Sequence, residues 1–274
     1  MHEAYWGLTE APFALTPDPR FYYMGHATED SLMMLHYALT RNKGVGLVTA
    51  PLGMGKTALC HKLTSLLEPT ITRVINIVNP ALTPLQFHFE LLAELGVKTR
   101  YKDRQAVSKE LQSRLLEVAG KGKRVVLIID DAHMIESAGT FEELRQLLNL
   151  QMDNQFLVNV LLVGQPSLVQ SICKCESLDQ MIAIRERMQP LSLVDTGELV
   201  MHRLRNAGYS GDQGIFGTDA IVELHRRSKG VPRVICHIAD RALVVGKNQK
   251  ARFIDGLVMH EAIADFYGAE EEAA

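Results

Sequence analysis

The stretch Val45-Gly46-Leu47-Val48-Thr49-Ala50-Pro51-Leu52-Gly53-Met54-Gly55-Lys56-Thr57 decides how this chain reads. Its first five residues suit a buried strand, and the pattern that follows (Ala58, Leu59, His61, Lys62, Leu63, Leu66, Leu67) is helical. Between them lies Ala50-x-x-x-x-Gly55-Lys56-Thr57, the spacing of a phosphate-binding loop. Such a loop turns successive backbone N–H groups onto a phosphate, and the positive N-terminal end of the next helix adds to their pull. Gly53 and Gly55 permit close approach and positive φ. The expected cradle runs through Pro51, Leu52, Gly53, Met54, Gly55, Lys56, Thr57 and Ala58. Within it Lys56 neutralises the β- and γ-phosphates, and the Thr57 hydroxyl holds Mg2+. Ala50 stands where many such loops carry glycine.

Further along, Val125-Val126-Leu127-Ile128-Ile129 is an unbroken apolar run that ends in Asp130-Asp131-Ala132-His133. Strands buried on both faces of a parallel sheet have this composition, and their carboxyl ends face the ligand crevice. Paired with Lys56, the run reads as a Walker B strand: Asp130 would hold Mg2+ through water, and Asp131 would polarise the attacking water. Leu157-Val158-Asn159-Val160-Leu161-Leu162-Val163 reads as another buried strand, closed by Gly164-Gln165-Pro166. Gln165 is placed there either to sense a γ-phosphate and orient water or only to make a turn. Thr72 to Val78 reads as a strand, and Ser31 to Leu39, Pro84 to Leu95, Val107 to Val118 and Phe141 to Leu150 read as helices. The alternation predicts an α/β fold built on a three-layer parallel sheet.

Past Leu193 the pattern is helical throughout: Asp195 to Asn206, Thr218 to Lys229, Val234 to Val245 and Ile254 to Phe266 make a small all-helical second domain. Asp195 or Thr196 is expected to cap the first of these and Thr218 the second. His225-Arg226-Arg227-Ser228-Lys229 falls in a last turn, where cations complement the helix dipole. At the other end, prolines and aromatics between Tyr5 and Tyr23 specify an extended arm pinned by Trp6, Phe13, Phe21 and Tyr22. The arm either packs or touches an adenine ring. The expected divisions are 1–43 for the arm and first helix, 44–193 for the P-loop core, 194–267 for the helical lid and 268–274 for a frayed acidic tail.

A net charge of −3 gives no global attraction to nucleic acid or to a membrane surface, though a local basic face stays open. The cysteines Cys60, Cys173, Cys175 and Cys236 are scattered, unlike a disulfide framework, and Cys173-Lys174-Cys175 is too close for an ordinary zinc half-site. No run approaches the ~20 apolar residues of a membrane span, and Met1-His2-Glu3-Ala4 is not the start of a signal peptide. The expected location is cytoplasmic, either free or peripheral at the inner membrane.

Trp6-Gly7-Leu8-Thr9-Glu10-Ala11-Pro12-Phe13, Thr16-Pro17-Asp18-Pro19-Arg20-Phe21, the Phe141 to Asn149 segment, Leu162-Val163-Gly164-Gln165-Pro166-Ser167-Leu168, Pro190-Leu191, the Arg203 to Gly208 segment and Gly230-Val231-Pro232-Arg233 follow one another along the chain. This series resembles the AAA+ ATPases of the ExeA/GspA type from general secretion, including MshM-like relatives of pilus biogenesis, from Tyr5 to about Ile263. The resemblance implies ATP and Mg2+ as ligands, an AAA+ core with a helical lid, and nucleotide held between them. It also implies sensor 1 at Gln165 with Asn149 near it, sensor 2 at Arg233, and a homo-oligomer working with protein components of an envelope, secretion or pilus assembly. Arg185 matches the family's second arginine in the region that reaches a neighbouring subunit, and Arg187 lies beside it.

Several positions depart from the family pattern. Met181 stands where an arginine is usual, and Asp130-Asp131-Ala132-His133 replaces Asp-Glu-Ala-Gln. Asp131 is one methylene shorter than Glu, roughly 1.5 Å at the carboxylate, and an error of about 1 Å can cost on the order of a hundredfold in rate. Slow, switch-like hydrolysis is therefore expected. The longer secretion relatives carry a membrane span and a peptidoglycan-binding region, and neither pattern occurs in these residues. Two other readings stay open: a DNA-associated ATPase similar to the TniB/MuB transposition regulators, and a non-hydrolysing, nucleotide-gated interaction module.

Overall fold

A computed structural model of the chain describes residues 2–16, 18–98, 103–211 and 214–268, and the acidic tail Glu270 to Ala274 lies outside them. The elements, in chain order, are α1 (His26–Thr40), β1 (Val45–Thr49), α2 (Lys56–Leu66), β2 (Thr72–Ile77), α3 (Pro84–Glu94), α4 (Arg104–Gly120) and β3 (Arg124–Ile129). They continue with α5 (Ala138–Leu148), the short pair β4 (Gln151–Met152) and β5 (Gln155–Phe156), β6 (Val158–Gly164), α6 (Ser167–Cys173), α7 (Glu176–Asp179) and β7 (Ile182–Arg187). Four helices close the series: α8 (Leu193–Asn206), α9 (Thr218–Ser228), α10 (Pro232–Asn248) and α11 (Gly256–Tyr267). The described residues fall into two compact units, one drawn from 1–29, 53–58 and 189–274, the other from 30–52 and 59–188.

In the second unit, the five principal strands form one parallel sheet in the order β2-β3-β6-β1-β7. Because side chains alternate across a strand, Val125, Leu127 and Ile129 of β3 and Val158, Val160 and Leu162 of β6 share one face with Phe87, Leu91, Leu111 and Leu144 of α3, α4 and α5. The opposite face is buried as well, and a side chain at Gly46 would meet Leu35 of α1 at 3.2 Å. Helices on both faces make the predicted three layers, and explain why β1, β3 and β6 are buried at nearly every position. β7 differs. Its residues alternate between half-buried and exposed along Ile182–Arg187, the pattern of an edge strand.

Beneath α3, α4 and α5 lies a buried polar cluster that the sequence did not reveal. His88 is 1% exposed and Glu143 2% exposed, and their Nε2 and Oε2 atoms are 3.0 Å apart. Arg104 closes on the other carboxylate oxygen of Glu143. Burial, followed by the charge of Arg104, holds the His88 imidazole below its ordinary pKa, so the neutral ring donates to Glu143. Glu143→Ala would leave that buried N–H without an acceptor and open a cavity beside it. The expected loss is about 3 kcal/mol, read as a fall in the denaturant midpoint; an unchanged midpoint would mean the cluster relaxes freely.

The first unit packs the N-terminal arm against the helices α8 to α11. Trp6, Leu8, Phe13 and Phe21 share a buried cluster with Leu204, Ile238, Leu243 and Ile263. Trp6 Nε1 donates to the Leu243 carbonyl at 2.9 Å, and Arg203 donates to the carbonyls of Pro12 and Ala14 at 3.2 and 3.0 Å. The arm is thus anchored by Trp6, Phe13 and Phe21 through packing. Two caps differ from expectation. Ser192 caps α8 in a capping box with Asp195, which sits at the third helical position, because its hydroxyl accepts from the Asp195 N–H. Gly217 precedes α9 as its N-cap, so Thr218 is already helical.

Candidate functional site

All strands of the sheet point the same way, so the segments leaving β1, β3 and β6 emerge at one edge. Ala50 N–H donates to the Gly164 carbonyl at 3.0 Å, and Asp130 N–H donates to the Ile77 carbonyl at 3.1 Å. Ala50, Asp130 and Gln165 therefore leave adjacent strands β1, β3 and β6 at the carboxyl edge, where parallel α/β sheets bind their ligands.

After β3 the chain turns sharply. Asp130 is 9% exposed, and its Oδ1 accepts the Asp131 N–H at 2.9 Å. Asp131 sits in the left-handed region (φ 48°, ψ 35°), which aspartate visits more readily than most residues with a side chain. Its carboxylate is about half exposed and so stands open to water. A single turn of 3-10 helix (Ala132–Met134) follows, and it brings His133 Nε2 to 2.9 Å from Gln165 Nε2. The sequence singles out Gln165 as a sensor, whereas His133 stands out there only as a departure from Asp-Glu-Ala-Gln.

Leaving β1, the loop carries Gly53 at φ 80° and Gly55 at φ 85°. Lys56 is 7% exposed at the first position of α2, Met54 is buried, and Pro51, Leu52 and Thr57 are exposed. Gly55 and Ala58 are half-buried. The Gly53 carbonyl accepts the Arg233 N–H at 3.1 Å, and a side chain on Gly53 would press on Val231 Cγ1 at 3.1 Å and Arg233 Cβ at 3.2 Å. The glycine is needed for both its φ and this approach. Gly230-Val231-Pro232-Arg233 is itself fixed from behind, since any Cβ at Gly230 would strike the Leu191 carbonyl. The exposed Arg233 lies at the second position of α10, where a cation opposes the helix dipole, so helix stability does not explain it.

Two other marked residues lie elsewhere. Arg185, on the exposed face of β7, donates to the Asp179 carbonyl at 2.8 Å and to its carboxylate at 2.9 Å. Asn149 ends α5 next to Leu150, whose carbonyl accepts from Leu157 just before β6, whereas Gln165 follows β6. The seven residues of β6 separate the two ends, about 20 Å at the usual rise. Asn149 is not near sensor 1.

A family model described as an AAA domain matches residues 39–172. General secretion pathway protein A of Aeromonas hydrophila is 36% identical over 251 residues, which cover 89% of this chain and 44% of that protein. This chain belongs to the ExeA/GspA type of AAA ATPases. It spans less than half the length of that relative. Among solved structures, the Aeropyrum pernix ORC2 protein in ADPNP and ADP complexes superposes with a TM-score of 0.70 at 12% identity, covering 95% of this chain and 72% of that one. Cdc6p from Pyrobaculum aerophilum gives 0.66 at 17% identity over 89% and 67% of the two chains. The Thermotoga maritima RuvB branch-migration motor gives 0.59 at 18% identity over 90% and 73%. These likenesses show the AAA fold. Among the described residues, no helix is long and apolar enough to cross a membrane.

The residues fit a nucleotide with its metal. Left-handed glycines open the loop, a cation is buried at the start of the helix it feeds, and Asp130 is an oxygen donor of the kind that hard Mg2+ takes, directly or through water.

Proposed function

We propose that this chain binds ATP with Mg2+ and hydrolyses it slowly, as a nucleotide-dependent switch in the assembly of a secretion, pilus or envelope system. The observation that carries the reading is the loop: two left-handed glycines, a buried Lys56, and a Gly53 carbonyl tied to the backbone of Arg233. In this reading the backbone from Pro51 to Ala58 cradles the phosphates and Lys56 neutralises them. Thr57 and Asp130 hold Mg2+, which when bound would offset phosphate charge. Asp131 polarises water, and Gln165 senses the γ-phosphate. Arg233, whose N–H binds the loop, contacts the nucleotide and couples its presence to the helical region. Arg185 is proposed to act toward a neighbouring copy in a homo-oligomer, where it must first exchange its bonds to Asp179.

Saturating ATP·Mg2+ should raise the melting temperature by about 5 °C. AMP should not, and a flat response to ATP would sink the reading. The secretion role rests on similarity to general secretion pathway protein A, and a cytoplasmic location, free or at the inner membrane, goes with it. DNA binding is the second reading, and ATP-dependent retention on DNA that weakens with salt would favour it. The net charge of −3 favours the first.

A further inference from the structure

We propose that His133 is a positioning residue that links Gln165 to Asp131, so that the state of the γ-phosphate sensor is passed to the carboxylate that orients water. The inference deepens the proposed ATPase site and rests on that reading of Asp131 and Gln165.

The atoms define a direction. Gln165 Nε2 lies 2.9 Å from His133 Nε2, and an amide nitrogen only donates. The imidazole Nε2 is therefore the acceptor, and the neutral ring carries its proton on Nδ1. That Nδ1 is buried and has no hydrogen-bond partner, while Asp131 Oδ1 stands 3.8 Å away. The gap exceeds a hydrogen bond by under about 1 Å, and a buried N–H without an acceptor is costly, so contact is favourable once the carboxylate shifts.

Asp131 is built to be shifted only there. Its backbone is held by the Asp130 carboxylate at its N–H and by Met134, whose N–H donates to its carbonyl at 2.8 Å, while the side chain is about half exposed. The ring is held from the other side. A side chain at Gly164 would meet Leu168 at 2.9 Å and the His133 backbone nitrogen at 3.1 Å, so the bare strand end lets the turn after β3 lie against β6. When Gln165 turns toward a γ-phosphate, the ring loses or redirects its donor, and the contact with Asp131 changes with it. No proton is transferred between the three side chains.

The first test needs no nucleotide. In apo protein labelled with 15N-histidine, a long-range 1H–15N correlation should show His133, assigned by its disappearance in His133→Gln, as the Nδ1–H tautomer. Gln165→Ala should move it toward a mixture of tautomers. The Nε2–H tautomer in the wild type, or no change in Gln165→Ala, would overturn the link.

In turnover, His133→Ala should lower kcat by about tenfold or more, with ATP affinity unchanged. His133→Asn restores a donor near the Nδ1 position but cannot reach Gln165, and should stay slow. The double variant with Gln165→Ala should cost no more than the worse single variant, as coupled residues do, whereas additive losses would refute the coupling. Melting of each apo variant separates these effects from misfolding. If the wild type fails to bind ATP, the proposed function falls, while the tautomer still decides whether the link exists.

Discussion

Lys56→Ala is expected to abolish ATP-dependent behaviour while leaving the apo protein folded. Lys56 is buried at the first position of α2, where a cation faces the positive end of the helix dipole. A cation in that position works against the dipole, and an arriving polyanion gains from both the lysine and the helix end. Removing it should erase the melting shift with ATP·Mg2+ while the apo protein still melts cooperatively. Turnover should drop by about a hundredfold to a thousandfold, the range seen when a charge-stabilising donor is removed from a reacting group. Steady-state phosphate release and melting curves on the same preparations check both halves. A variant that keeps the ATP shift would place the phosphates elsewhere, and one that melts well below the wild type would make Lys56 structural.

The second large effect is a gain. Asp131→Glu should raise kcat by about tenfold to a hundredfold with little change in ATP affinity, because the added methylene carries the carboxylate roughly 1.5 Å further, and a misplacement of about 1 Å has costs of that order. Asp131 points out from a constrained left-handed turn, and its half-exposed carboxylate has room for the longer side chain. In the Asp131→Glu background the loss from His133→Ala should also shrink, since the longer carboxylate no longer depends on the imidazole for its placement. Phosphate release from wild type, Asp131→Glu and the double variant decides the matter. If Asp131→Glu binds ATP yet turns over no faster, the short carboxylate is not what limits the rate, and the search moves to partner binding. A wild type without turnover that gains it in Asp131→Glu would identify a nucleotide-gated switch.

Much of the fold follows from local chemistry. Val125 to Ile129 is apolar at every position and Val158 to Val163 at every position but Asn159, a composition that suits strands covered on both faces, so the three-layer sheet was legible in the sequence. The loop from Ala50 to Thr57 was equally legible, because its glycines, lysine and threonine answer to one phosphate chemistry at one spacing. The helices past Leu193 announced themselves by their periodicity.

The rest depended on which distant residues meet. No local pattern states that β6 inserts between β1 and β3, and that insertion sets Gln165 beside the turn of Asp131 and His133 while sending Asn149 to the far end of β6. His133 reads as an ordinary polar residue until Gly164, bare of a side chain, lets its turn lie against the neighbouring strand. Glu143 falls on the apolar face of α5, where a carboxylate is unexpected until His88 and Arg104 arrive from α3 and α4. Sequence alone determined what each segment is, since strand burial, helix periodicity and loop spacing are properties of neighbouring residues. Only the tertiary structure decided which segments adjoin, because strand order and side-chain pairing are settled by packing between residues that the chain keeps far apart.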